Sequence, residues 1–131
     1  MKPSLHIPCL CLVTDLKLCQ SSSLEEHVEM AIRGGANIVQ LREKDMPGGF
    51  LLEVALRLRQ VTRGRALLFV NDRVDVALAC GADGVQLGEE AMPVQVVRQL
   101  TGDKMLLGRS VHDIEGVTAA SGQGADLLIV G

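Results

Sequence analysis

"GGANIVQLREKD", residues 34–45, holds a helix stop, a short strand and a polar strand end in one run. Gly34-Gly35 permit the turn that closes a helix, and Ile38, Val39 and Leu41 form the apolar run of a buried strand. Gln40, Arg42 and Lys44 follow at a spacing of two, which on a strand turns all three side chains toward one face. A strand that starts apolar and ends with an amide and two cations belongs in a parallel α/β fold. There the polar end lies at the carboxyl edge of the sheet, where ligands bind.

The same alternation extends in both directions. "PCLCLVTD" (8–15) is a strand, and "SSSLEEHVEMAIRGG" (21–35) reads as a helix. That helix has a serine N-cap, acids in its first turn, and Leu24, Val28, Ala31 and Ile32 on one face. "MPGGFLLEVALRLRQVTRG" (46–64) is a second helix, with Leu52, Ala55, Leu56 and the stem of Arg59 on its buried side. "ALLFVN" (66–71), "DGVQLG" (83–88), "KMLLGRS" (104–110) and "DLLIVG" (126–131) read as further strands. Helical patterns separate them at "DRVDVALACG" (72–81), "MPVQVVRQLTG" (92–102) and "DIEGVTAASGQG" (113–124). Six strands alternating with helices through short connections predict a parallel sheet with right-handed crossovers.

A repeat narrows the choice of sheet. Gly35-Ala36-Asn37, Gly81-Ala82-Asp83 and Gly124-Ala125-Asp126 each stand where a helix hands over to a strand, 46 and 43 positions apart. Glycine allows the left-handed cap, alanine lets the chain return closely, and Asn or Asp bonds its own backbone in the turn. A period of two β/α units favours the TIM (β/α)8-type barrel, whose interior layers are filled from alternate strands. Such barrels typically run to ~250 residues, against 131 here, so six units are expected to be a truncated barrel, residues 1–131 forming one incomplete domain. Two open strand edges would be sticky, which favours truncation over the alternative that six units survive by pairing with another chain as a homo-oligomer.

Composition excludes several classes of function. The formal charge is −3, Trp and Tyr are absent and only two Phe occur, which argues against a nucleic-acid partner. No stretch approaches the ~20 apolar residues of a membrane span. The apolar run near the amino terminus is short, is closed by Asp15 and lacks a cleavage site, so no signal peptide is expected. Cys9, Cys11, Cys19 and Cys80 lack metal-ligand spacing and are expected to be buried or half-buried thiols of a cytoplasmic protein. His6 is expected in a disordered start and His27 on a helix surface.

The strand ends carry the chemistry. Thr14 and Asp15 follow the first strand, and Gln40, Arg42 and Lys44 the second. Asn71, Asp72 and Arg73 follow the third, Gln86, Glu89 and Glu90 the fourth, and Arg109, Ser110 and His112 the fifth. Two cations at a barrel mouth call for an anion, and a phosphate or diphosphate suits a guanidinium that bonds it bidentately beside an ammonium. An acid among those cations is what a magnesium diphosphate site requires, although Asp72 also suits a helix N-cap.

"CLVTD", "GGANIVQLREKD", "FVNDRVDVALACGADGVQLG" and "LLGRSVHDIE", taken in order, resemble the thiamine phosphate synthase/TenI family. The resemblance implies a TIM barrel and a transferase that joins hydroxymethylpyrimidine diphosphate to thiazole phosphate, releasing diphosphate. It implies that the Gln40-Leu41-Arg42-Glu43-Lys44 motif binds the pyrimidine diphosphate, with Asn71 and Ser110 beside it. Arg42, Lys44 and Ser110 would then act on the leaving diphosphate, and Asp72 would hold Mg²⁺. The family's second magnesium carboxylate falls on Ala91 here, leaving Glu90 or Glu89 to replace it. That departure points toward the TenI branch, a thiazole tautomerase in some members, for which the resemblance implies proton transfer by His112. A third expectation is a non-catalytic phosphate-binding remnant.

Overall fold

In the computed structural model, which describes residues 2–19 and 22–131, six parallel strands lie side by side in chain order. They are β1 (Cys11–Val13), β2 (Ile38–Leu41), β3 (Leu67–Asn71), β4 (Gly84–Leu87), β5 (Leu106–Val111) and β6 (Leu127–Val130). The helices between them are α1 (Leu24–Arg33), α2 (Gly48–Thr62), α3 (Val74–Cys80), α4 (Val94–Thr101) and α5 (Ile114–Gly122). Consecutive parallel pairing with a helix between successive strands is the winding of a (β/α) barrel, here curled through six strands. Among the described residues, β1 and β6 are each paired on one side only.

Strand alternation separates two cores. Val39, Leu41, Leu68, Val70, Val85, Leu87 and Leu107 point outward and pack on the helices. Ile38, Phe69 and Leu106 point inward, joined by Leu5, Leu67 and Leu127. The helices follow their caps. Ser23 Oγ accepts the Glu26 amide at the start of α1, and Asp113 does the same for Gly116 at α5. The buried face of α2 runs Leu51, Val54, Ala55, Leu58 and Thr62. Leu56, expected on that face, lies beside it and is largely exposed, because the stripe follows the 3.6-residue period from Leu51.

Other expectations also change. Asn37, Asp83 and Asp126 do not bond their own turns; each reaches across to the preceding strand. Asn37 Oδ1 accepts the Leu10 amide, Asp83 Oδ2 that of Leu68 and Asp126 Oδ2 that of Leu107, all at 2.8 Å. The glycines that precede them have φ of 112°, 67° and 91° at Gly35, Gly81 and Gly124, as a left-handed handover requires. Two of these acids are also held by arginines of the helices. Arg59 of α2 donates to Asp83 at 2.8 Å and to the Gly81 carbonyl at 3.1 Å. Arg98 of α4 repeats the pattern with Asp126 at 2.7 Å and the Gly124 carbonyl at 3.1 Å. Asn37 has no such arginine; its amide instead donates to the carbonyls of His6 and Pro8, so His6 lies in an anchored segment.

His27 is half-buried, with Nε2 shielded from solvent and without a hydrogen bond among the described residues. Cys9 and Cys11 are exposed, because β1 is an edge strand, while Cys80 is buried and its thiol pushed up by that burial.

Removing Asp83 would strand the guanidinium of Arg59, which is only 6% exposed. Asp83→Ala should therefore cost ~3–5 kcal/mol, read as a lower midpoint in urea. Burial alone would push the Asp126 carboxyl up, but Lys2, the Leu107 amide and Arg98 outweigh it and hold it below its ordinary value. Its contribution is present above the unfolded carboxyl range and is lost as pH falls through the depressed folded value. Asp126→Asn should be less stable than the parent at pH 7, and the gap should begin to narrow only below about pH 4.

Candidate active site at the carboxyl ends of the strands

The strand ends form loops braced by carboxylates. Strand β2 stops at Leu41, so Arg42 and Lys44 stand on the following loop and not on further rungs of the strand. Thr14 causes this departure. Its buried hydroxyl accepts the Arg42 amide at 3.0 Å and donates to Glu43 Oε2 at 2.8 Å. The Glu43 carboxylate also accepts the Leu16 amide at 3.2 Å, strapping the β1 and β2 ends together. With Glu43 committed to that strap, the exposed side chains of Arg42 and Lys44 carry no ion pair to it.

Two adjoining clefts open on either side of the strap. One, of about 300 Å³, brings Lys44 together with Asn71, Asp72 and Arg73 over a floor that includes Leu41. The other, of about 380 Å³, is lined by Arg42 with Asp15, Lys17 and Asp45. Glu43 and Lys44 line both. Lys44 therefore shares a cleft with the acid beyond β3, whereas Arg42 approaches from the adjoining side.

Asp72 has a φ of 60°, a left-handed conformation that Asp tolerates better than most residues. Its amide donates to the Gln86 carbonyl at 2.9 Å, and its Oδ1 accepts the Gly88 amide at 2.8 Å. The carboxylate thus braces the β4 end and does not cap α3, whose N-cap position is Arg73 without a side-chain cap bond. Asp72 Oδ2 has no hydrogen bond among the described residues, which leaves it available to a cation. Those residues contain no group of three or more His, Cys, Asp or Glu side chains arranged to hold a metal. One or two carboxylates suffice for Mg²⁺ when phosphates and water complete its shell, so this donor set fits that ion.

Further along the inner face the lining is mainly apolar, with two buried amides and Asp126. Gln40 and Gln86 are 5% and 2% exposed and border an interior cavity of about 410 Å³ with Ile38, Phe69 and Leu127. Gln86 Nε2 donates to Ser110 Oγ at 3.1 Å. Its Oε1 lies where a Cβ on Gly108 would be, 2.0 Å from that ideal position, so only glycine admits the amide.

The β4 and β5 ends meet separately. Arg109 points to the helix side and donates to the carbonyls of Glu89 at 2.9 Å, Met92 at 3.1 Å and Ala91 at 3.4 Å. His112 is exposed, with Nδ1 2.7 Å from the Gly131 carbonyl and Nε2 3.4 Å from the Glu89 carboxylate. Glu90 is exposed and makes no ion pair among the described residues. The residues read from the sequence thus form three groups: Lys44 with Asn71 and Asp72, Ser110 with Gln86, and His112 with Glu89. The braces at Thr14, Glu43 and Gly88 went unread, because each is a contact between loops distant in the chain. Asn71-Asp72 before a helix held the one local signal, since Asp favours left-handed turns.

A six-stranded turn of (β/α) barrel carries cations and an acid at its carboxyl rim, which defines the class of protein by its fold. The family model described as thiamine monophosphate synthase matches residues 10–131, and the chain belongs to that family. It is 50% identical over 123 residues to a putative thiamine-phosphate synthase of Geobacter sulfurreducens, and 43% identical over 123 residues to a thiamine-phosphate synthase of Clostridium acetobutylicum. Each alignment covers 93% of this chain and 58% of the relative, so the chain spans a little over half the length of these relatives. Its structure superposes on a thiamine phosphate pyrophosphorylase from Pyrococcus furiosus with a TM-score of 0.86 at 43% identity, covering 94% of this chain and 59% of that one. An aldolase superposes at 0.71 with 17% identity and shares the fold alone.

Asparagine at position 72 keeps the left-handed tolerance and the acceptor for Gly88 while removing the charge. Asp72→Asn should change stability by less than ~0.5 kcal/mol, whereas Asp72→Ala should cost ~1–2 kcal/mol; urea denaturation of both variants checks this.

Proposed function

We propose that the protein is a thiamine phosphate synthase-type transferase, joining hydroxymethylpyrimidine diphosphate to thiazole phosphate with release of diphosphate. The observation that carries this reading is the placement of Lys44, Asn71 and Asp72 in one cleft, with Arg42 in the cleft adjoining. In this reading residues 1–131 contribute the first six units of a single barrel domain. The lengths of the relatives support that division. No helix among the described residues is long and apolar enough to cross a membrane. The four free thiols support a cytoplasmic setting.

Each residue has a distinct task. Arg42 offers a planar fork to phosphoryl oxygens, and Lys44 adds a point charge between the two clefts. Both stabilise negative charge that grows as the bond from the pyrimidine methylene to diphosphate breaks. The buried amides of Gln40 and Gln86, with Ser110, offer donors and acceptors to the edge of the pyrimidine. Asp72, with Asn71 near it and Glu90 or Glu89 as a second carboxylate, would hold Mg²⁺, which would supply charge neutralisation for the leaving diphosphate. Thiazole nitrogen then attacks the exposed methylene carbon.

A second reading, proton transfer on a thiazole phosphate, is favoured by one observation. The His112 imidazole lies between the Glu89 carboxylate and a carbonyl, an arrangement suited to passing a proton from one ring nitrogen to a substrate.

Calorimetric titration with inorganic pyrophosphate tests the site directly. Arg42→Ala should weaken binding by ~1.5–3 kcal/mol, and Asp72→Asn should abolish the gain produced by adding Mg²⁺. Undiminished affinity in Arg42→Ala would remove the diphosphate from this mouth. Incubation with both substrates and Mg²⁺ separates the two reactions, since only the transferase yields thiamine phosphate.

A further inference from the structure

Arg73 stands in the cleft that holds Lys44 and Asp72, yet the transferase chemistry above does not use it. Its guanidinium is gripped from one side: Nε donates to Asp75 Oδ1 at 3.0 Å and Nη2 to Asp75 Oδ2 at 2.8 Å. Nη1 has no hydrogen bond among the described residues. A half-exposed pair two residues apart contributes little to stability, so its effect is on geometry: it fixes the plane of the guanidinium.

The opposite side of that guanidinium rests on Gly48, the first residue of α2. A Cβ built there would come 2.7 Å from Nη2 and 3.6 Å from both Cζ and Nη1. The position has an ordinary helical backbone, so no left-handed turn calls for glycine. What the missing side chain provides is room for the arginine. Asp75 and Gly48 together hold a planar cation at the wall of the 300 Å³ cleft.

Four cations line the two clefts, and Lys17 among them faces Asp45 at 3.9 Å. Arg42 lines one cleft, Arg73 lines the other, and Lys44 lines both. A diphosphate carries two phosphoryl groups to a monophosphate's one, and the two clefts adjoin at Lys44. We propose that Arg73, seated on Gly48, is a specificity-determining residue that contacts the second phosphoryl group and makes the mouth prefer a diphosphate to a monophosphate. This rests on the reading of the mouth as a diphosphate site.

The test is calorimetry on the 131-residue chain with inorganic pyrophosphate and, separately, inorganic phosphate, both without divalent metal. Arg73→Met should weaken pyrophosphate about 10-fold (~1.4 kcal/mol) and phosphate by less than about 2-fold. Gly48→Ala should reproduce that loss without removing any charge, because the new methyl displaces the flexible end of Arg73. Its thermal midpoint should hold or rise, as alanine favours helix over glycine. If Arg42→Ala weakens pyrophosphate while both new variants keep the parent's ratio, the inference falls and the diphosphate site stands. Equal loss of both anions in Arg73→Met overturns the selectivity, and loss in Arg73→Met without loss in Gly48→Ala overturns the seat. If the parent binds no pyrophosphate, the reading of the mouth fails and takes the inference with it.

Discussion

A side-chain oxygen at the start of each even strand takes an amide from the start of the strand before it. Asn37, Asp83 and Asp126 make this bond to Leu10, Leu68 and Leu107 at the same length of 2.8 Å. The contact sets the stagger of each strand pair at its amino end. Where two parallel strands begin in fixed register, their carboxyl ends emerge in fixed register too, and the loops of the mouth inherit that alignment. A carboxylate partly withdrawn from water needs compensation, which Arg59 and Arg98 give from the flanking helices. The barrel's doubled repeat is thus an electrostatic device as well as a packing one.

The rim applies the same chemistry with the opposite purpose. Glu43 binds the Thr14 hydroxyl and the Leu16 amide, and Asp72 binds the Gly88 amide, so acids hold the loops together. The cations beside them, Arg42 and Lys44, are left facing the clefts. Both clefts mix charges, with Asp15 and Asp45 beside Arg42 and Lys17 in one and Asp72 beside Lys44 and Arg73 in the other. Asp72 joins both functions, bracing the next strand with one oxygen and keeping the other available. That economy explains a left-handed backbone at a residue with a side chain, a strain of about 1–3 kcal/mol that persists only where surrounding bonds over-determine it.

Fold and function separate cleanly across the neighbours. The aldolase shares the winding at 17% identity, while the pyrophosphorylase shares 43%. The winding alone supports many reactions, so the chemical reading depends on the residues at the rim. The inner face carries the amides of Gln40 and Gln86 among apolar side chains, with Asp126 at its amino end, whereas Arg42, Lys44 and Asp72 stand on the loops.

Local pattern was enough to determine six strands, five helices, their parallel order and the strand ends where chemistry gathers, because hydrophobic period and glycine punctuation act over a few residues. It also determined the Gly-Ala-Asn/Asp handovers, though not their purpose, since the bond each makes ends on another strand. Tertiary structure alone decided that Arg42 and Lys44 leave the sheet, because the hydroxyl that redirects them is Thr14, 28 positions away from Arg42. It decided that Asp72 braces Gly88 instead of capping α3, and that Arg73 rests on Gly48. Those outcomes depend on which amides and charges meet across loops, and distances between residues far apart in the chain exist only once the sheet has curled.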